Sequence, residues 1–164
     1  MQPDRARQAF MDRFGAVFEH SPWVAEAVYD GLGGRVPGEC RELVRRFEEA
    51  VMAAGRERQL ALLRAHPELA AGSASLTAAS RQEQSGAGLD RCTTEDLDEF
   101  RRLNTAYREK FGFPFIVAVK GRGRREILEL LRRRSGGGAD AEFAEALRQV
   151  CRIGALRIEA EFHA

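Results

Sequence analysis

Phe111-Gly112-Phe113-Pro114-Phe115-Ile116-Val117-Ala118-Val119 is the stretch on which the fold class turns. Its second half, Phe115 to Val119, is the only run in the chain that resembles a β-strand, with aromatic and β-branched residues in close succession. A lone strand has no partner, so we read it as an extended buried segment, or the start of a turn, in an otherwise helical protein. The sequence on both sides supports this. Upstream, Thr93-Thr94-Glu95-Asp96 is a capping-type helix start, and the helix it opens runs through Tyr107 until Gly112 and Pro114 stop it. Downstream, helices are expected over about 124–134 and 141–162, separated by Ser135-Gly136-Gly137-Gly138.

Helical periodicity continues toward the N-terminus. Phe10, Phe14, Val17 and Phe18 fall at i, i+4, i+7 and i+8, one apolar helix face. Ser21-Pro22 reads as a helix start, with Ser capping and Pro in the first turn. A loop follows at Asp30-Gly31-Leu32-Gly33-Gly34, then a helix over about 39–54 broken by Gly55. Another helix, about 56–65, ends near His66 because Pro67 disfavours helical backbone at the residue before it. Thr77 or Ser80 can cap a short helix leading to Gly86. The expected architecture is all-α: a single domain over residues 1–164, a bundle of about eight helices with one non-helical segment near 113–119.

Composition narrows the function classes. The 164 residues are 44% hydrophobic, enough for a core, and carry 26 basic against 25 acidic side chains, a formal net charge of +1. That balance gives no electrostatic case for nucleic acid or an anionic membrane surface. No apolar run approaches the ~20 residues that span a bilayer. Met1–Phe10 is charged and lacks a signal-peptide core, and Glu161-Phe162-His163-Ala164 is not a peroxisomal tripeptide, so a cytoplasmic protein is expected. Cys40, Cys92 and Cys151 are odd in number and widely spaced, which favours free thiols over disulfides or a zinc site. The Arg-rich stretches at 122–125 and 132–134 are read as solvated helix ends offset by nearby acids.

Three patches stand out as more than helix filler. His66 is either a helix C-terminal residue suited to the dipole or a general acid–base, its ring aimed by Pro67. Ser80 and Glu83 have capping-box spacing, yet Ser80, Glu83 and Gln84 at i, i+3 and i+4 also present a hydroxyl, a carboxylate and an amide on one face. Phe113–Val117 is core, or a segment whose backbone groups lack intrahelical partners and so pair elsewhere or bind a ligand. Arg157, flanked by Ile153, Leu156 and Ile158, is either snorkelling or clamping an anion.

In this order, the chain resembles the 2-oxo-4-hydroxy-4-carboxy-5-ureidoimidazoline (OHCU) decarboxylase family. The resemblance runs from Phe14-Gly15 and Glu19-His20-Ser21-Pro22-Trp23-Val24 to His66-Pro67-Glu68-Leu69-Ala70. It continues through Ser80-Arg81-Gln82-Glu83-Gln84, Ala87-Gly88-Leu89, Leu103-Asn104, Tyr107, Lys110 to Ile116 and Ile153-Gly154-Ala155-Leu156-Arg157. It implies an all-α carboxy-lyase, usually a homodimer, without metal or organic cofactor, that forms (S)-allantoin and carbon dioxide in urate degradation. It further implies His66 as the catalytic histidine and Glu83 as its carboxylate partner. Pro67, Ser80, Gln84 and Arg157 then correspond to substrate contacts, and Phe115, Ile116 and Val117 to the segment whose backbone holds the heterocycle. A helical interaction module without catalysis, and a decarboxylase or hydrolase of a related ureido compound, are the competing readings.

Overall fold

The computed structural model describes residues 3–72 and 76–164, and among them there are eight α-helices, a single 3-10 turn and no β-strand. The helices are α1 (Pro3–Phe14), α2 (Trp23–Gly31), α3 (Cys40–Ala53), α4 (Arg56–Ala65), α5 (Ala78–Gly86), α6 (Thr94–Phe111), α7 (Arg124–Ser135) and α8 (Ala139–Phe162). The 3-10 turn, Leu89–Arg91, lies between α5 and α6. The all-α expectation holds, and Phe113–Val119 is irregular and buried, as its lack of a strand partner implied. Two compact units make up the chain: one from the segments up to Ala65 and from Cys151 onward, the other His66–Val150.

In the first unit α1 packs on α2 and α2 on α3. Its core is aromatic: Phe10, Phe14 and Phe18 gather round Phe47 with ring centroids 6.3–6.5 Å from it. Two local expectations are corrected here. Helix α1 stops at Phe14, so Val17 and Phe18 reach the core from a turn rather than along a helix face. Ser21 does not cap α2; its hydroxyl donates to the carbonyl of Glu19 at 3.0 Å, serving a turn in which His20 takes a left-handed φ of 52°. At the end of α3 the buried Gln59 side chain donates to the carbonyls of Val51 and Met52, both at 3.1 Å, tying down the last turn of the helix. On α8, Gly154 is required by packing: a Cβ there would stand 2.5 Å from Cζ of Phe18.

In the second unit α6 packs on α7, and α5 on the 3-10 turn. Thr93 caps α6 by accepting from Asp96 N at 3.1 Å, and Gly112 closes it in a left-handed conformation with φ 80°. The core includes Phe100, Tyr107, Phe115, Ile116, Ile127 and Leu131, each buried completely or nearly so. The Arg-rich helix ends are mostly what composition suggested: Arg122 pairs with Glu126 one turn on, and Arg132 with Glu99. Arg134 is the exception. It is half-buried against the buried Glu142, because the loop from α7 into α8 folds that carboxylate back over the last turn of α7.

Candidate functional site

The candidate residues of the second unit begin at the bend after α4. With Pro67 next in line the helix ends at Ala65, and His66 turns inward to 8% exposure. The bend is tied down from two helices. Asn104 on α6 donates from Nδ2 to the carbonyl of Leu69 at 2.9 Å, and Gln84 on α5 accepts from Ala70 N at 2.9 Å. Glu68 is ion-paired with Arg108. Ala70 adopts a left-handed φ of 57°, a conformation that costs a non-glycine residue on the order of 1 kcal/mol and persists only where its surroundings dictate it. The two buried amides, Gln84 and Asn104, are what dictate it here.

Helix α5 places its polar face as the spacing predicted. Ser80 and Gln84 are buried, Glu83 is half-buried, and the intervening Arg81 and Gln82 are exposed. The cap is Thr77, whose hydroxyl accepts from Ser80 N at 3.2 Å. Ser80 therefore lies inside the helix, and the capping-box reading of Ser80 and Glu83 gives way. Gln84 has its carbonyl oxygen committed to Ala70, which leaves its Nε2 as the donor end. A cavity of about 340 Å³ has Gln84, Ala70, Leu76 and Arg101 in its walls, but neither His66, Ser80 nor Glu83 lines it.

The segment Phe113–Val119 is buried throughout without helix or sheet pairing, so its backbone must find other partners. Two side chains supply them. Arg134 Nη1 donates to the carbonyl of Ile116 at 2.6 Å, and Ala118 N donates to Oε1 of Gln149 at 3.0 Å. Among the described residues, the amides of Phe115, Ile116 and Val117 make no hydrogen bond within the chain. Arg134 also stacks its guanidinium over the Phe115 ring, 4.6 Å from the centroid. Its Nε meets Glu142 Oε2 at 3.0 Å, and the same oxygen accepts from the Tyr107 hydroxyl at 2.5 Å. Burial, and then the hydrogen bond to Glu142, push the Tyr107 hydroxyl far above the usual tyrosine range, so it stays a proton donor.

Arg157 belongs to the first unit. It is 8% exposed, with Nη2 at 2.9 Å from Glu19 Oε1 and Nη1 donating to Val17 O at 2.9 Å. It is thus a buried, paired guanidinium and not a snorkelling one. Pro67 is half-buried beside His66. The sequence reading gave no role to Arg134, Glu142 or Gln149. Arg134 and Glu142 meet only because the Gly-rich loop between their helices reverses the chain, and Arg134 sat in an arginine run that resembles solvated surface. Asn104 and Tyr107 stood in the motif without an assigned role; an amide and a phenol on the apolar face of α6 were the available signal.

Among the described residues no group of three His, Cys, Asp or Glu side chains is placed to hold a metal ion, and no helix is long and apolar enough to cross a membrane. The chain is thus a helical protein that buries a histidine at a bend which two buried amides, Gln84 and Asn104, hold through the backbone of residues 69 and 70. Comparison with known proteins makes the class particular. Residues 4–159 match the sequence profile described as OHCU decarboxylase, and the chain belongs to that family. The 2-oxo-4-hydroxy-4-carboxy-5-ureidoimidazoline decarboxylase of Haloferax volcanii is 42% identical over 154 residues, covering 94% of this chain and 89% of the relative. The crystal structure of an (S)-allantoin synthase superposes with a TM-score of 0.76 at 28% identity over 94% of this chain. This chain spans 50% of the length of that synthase. An OHCU decarboxylase crystallised in the presence of (S)-allantoin, 23% identical with a TM-score of 0.69, shares the fold over 84% of this chain and 91% of its own.

Proposed function

We propose that this chain removes the carboxylate of 2-oxo-4-hydroxy-4-carboxy-5-ureidoimidazoline as carbon dioxide and forms (S)-allantoin in urate degradation. Residues 1–164 act as one catalytic domain, and His66 is the proton donor. The observation that carries the site assignment is the buried His66 bend, held by Gln84 and Asn104, within a family match over residues 4–159. The chemistry suits these groups. When the carbon–carbon bond to the carboxylate breaks, its electron pair stays on the ring carbon and spreads into the adjacent unsaturated group as an enolate-type anion. Hydrogen-bond donors fixed in advance stabilise that charge, and within the segment Phe115, Ile116 and Val117 the unpaired amides of Phe115 and Val117 are such donors. The adjacent ureido-bearing carbon then takes a proton from one side, supplied by a buried imidazole with one orientation, while the hydroxyl proton passes to the ring nitrogen and the carbon that lost carbon dioxide becomes the carbonyl. Glu83 orients that imidazole or the substrate's hydroxyl. Ser80 and the Nε2 end of Gln84 meet the ureido and carbonyl groups beside Pro67, and Arg157 takes an anionic or carbonyl-rich part.

The resemblance further supports a homodimer working without metal or organic cofactor, and a cytoplasmic location is proposed with it. The test uses freshly generated substrate and follows the product by circular dichroism, since the substrate also decays spontaneously. Wild type should accelerate formation of a single-handed allantoin, and His66→Asn should give only the slow racemic background. Glu83→Gln should lower turnover by roughly 10²-fold. Optically pure allantoin at an enzymatic rate from His66→Asn would remove His66 from the donor's place; no acceleration by wild type would end the functional reading.

A further inference from the structure

The strongest feature outside the assigned residues is the polar cluster that grips the 113–119 segment. Arg134 comes from the last turn of α7, Glu142 from the first turn of α8, and Tyr107 from α6. They share one buried centre, where Glu142 Oε2 accepts from both Tyr107 and Arg134. A buried ion pair is weak evidence for stability, since apolar side chains of similar volume serve a core as well or better. This one also leaves Nη2 of Arg134 buried without a hydrogen-bond partner, an arrangement that packing alone would discard. What the cluster does achieve is directional: it delivers one charged hydrogen bond to Ile116 O and lays a flat cation on the Phe115 ring. Gln149 adds a second anchor. Its Nε2 donates to Glu145 at 2.9 Å, which turns its oxygen toward Ala118 N.

We propose that Arg134, held by Glu142 and Tyr107, is a positioning residue that acts with Gln149 to fix the backbone of residues 115–118 for the substrate. The proposal rests on the reading that Phe115 to Val117 hold the heterocycle. The two anchored groups, Ile116 O and Ala118 N, lie two residues apart. At that spacing an extended chain presents its polar groups along one edge. The anchors occupy that edge, so the amides of Phe115 and Val117 face the other way, toward the ligand. Preset donors of this kind stabilise developing charge without rearranging during the reaction. Arg134 touches neither substrate nor the migrating proton; it acts through the carbonyl it holds.

Arg134→Lys separates this role from packing. Lys keeps a cation beside Glu142 but has no planar fork to bridge Glu142 and Ile116 O together. The variant should fold and keep the wild-type pH profile, because His66 is untouched. KM and the dissociation constant for allantoin should both rise about tenfold, the scale of one charged hydrogen bond. A structural role alone would lower the melting temperature and leave KM unchanged, and that result in the folded variant overturns the proposal. Gln149→Met gives an independent measurement at a half-buried position, and decides the matter should Arg134→Lys not fold. It removes the acceptor for Ala118 N, so KM should rise about threefold or more, and an unchanged KM overturns the proposal. Wild type that neither turns over the substrate nor binds allantoin would instead refute the underlying function, so the two failures are distinguishable.

Discussion

Replacing Gly154 by Ala should destabilise this protein, although the same change in an ordinary helix stabilises. Gly154 lies within α8, where Ala gains about 0.5–1 kcal/mol from helix propensity. The new Cβ would stand 2.5 Å from Cζ and 2.6 Å from Cε1 of Phe18. That ring cannot swing out to solvent: it is 3% exposed and lies 6.5 Å from the Phe47 ring. At so short an approach the cost falls in the upper part of the range for overpacking, about 2–3 kcal/mol, and about 1 kcal/mol of propensity gain leaves a net loss of about 1–2 kcal/mol. In a chain of this size that is a fall in melting temperature of roughly 2–8 °C. The perturbation also reaches a functional candidate, because the residues on either side of Phe18 are the ones Arg157 holds: Val17 through its carbonyl and Glu19 through its carboxylate. Affinity for allantoin should therefore fall with stability. Urea unfolding at unchanged m-value measures the loss. The decisive control is the Phe18→Leu background, which removes the clashing ring atoms; there Gly154→Ala should be neutral or stabilising by about 0.5–1 kcal/mol. Equal effects in both backgrounds, or stabilisation of wild type, would refute the steric argument.

Two further outcomes follow from the buried Arg157 and the half-buried Cys151 of the first unit. Arg157→Lys keeps a charge for the buried Glu19 but cannot also reach Val17 O, so allantoin binding measured by calorimetry should weaken about tenfold with a smaller loss of stability; unchanged affinity would leave Arg157 a purely structural ion pair. Burial, and then the nearby Glu48 carboxylate, raise the Cys151 thiol from 9.0 to about 12. The folded state thus favours the protonated thiol, and this contribution to stability is complete below pH 9 and is lost as pH rises from 9 toward 12. At pH 8 its thiolate fraction is roughly a thousandfold below that of an ordinary thiol, so iodoacetamide followed by mass spectrometry should label Cys151 far more slowly in native than in unfolded protein. Equal labelling rates would contradict the burial argument.

Most helix boundaries were legible because local chemistry sets them. Gly55 between α3 and α4, Pro67 after α4, Thr93 before α6 and Gly112 after it each act over one turn, and the structure uses each as read. The all-α class followed from a single strand-like run with nothing to pair with. The same local logic placed Ser80, Glu83 and Gln84 on one face of α5, since a helix repeats every 3.6 residues whatever surrounds it. It was less decisive where two local partners compete for one hydroxyl. Ser21 has the chemistry of a cap, yet its hydroxyl serves the Glu19 carbonyl. Of the two candidate caps of α5, Thr77 and Ser80, Thr77 is the one used.

The sequence alone determined the helical class, the motif order that marks the family, and the residue types available for proton transfer. Only the tertiary structure decided which polar groups lose water and what they find in its place. Arg134 and its neighbours Arg132 and Arg133 are the same residue to any sequence reading. Arg132 pairs at the surface with Glu99, while Arg134 is drawn inward between Glu142, the Ile116 carbonyl and the Phe115 ring. Gln84 and Asn104, likewise, are ordinary helix amides until the chain brings Ala70 N and Leu69 O to them from 14 and 35 residues away. Hydrogen bonds and ion pairs gain their directing power only where water is excluded, and exclusion is a property of the packed chain, which no local window of sequence contains.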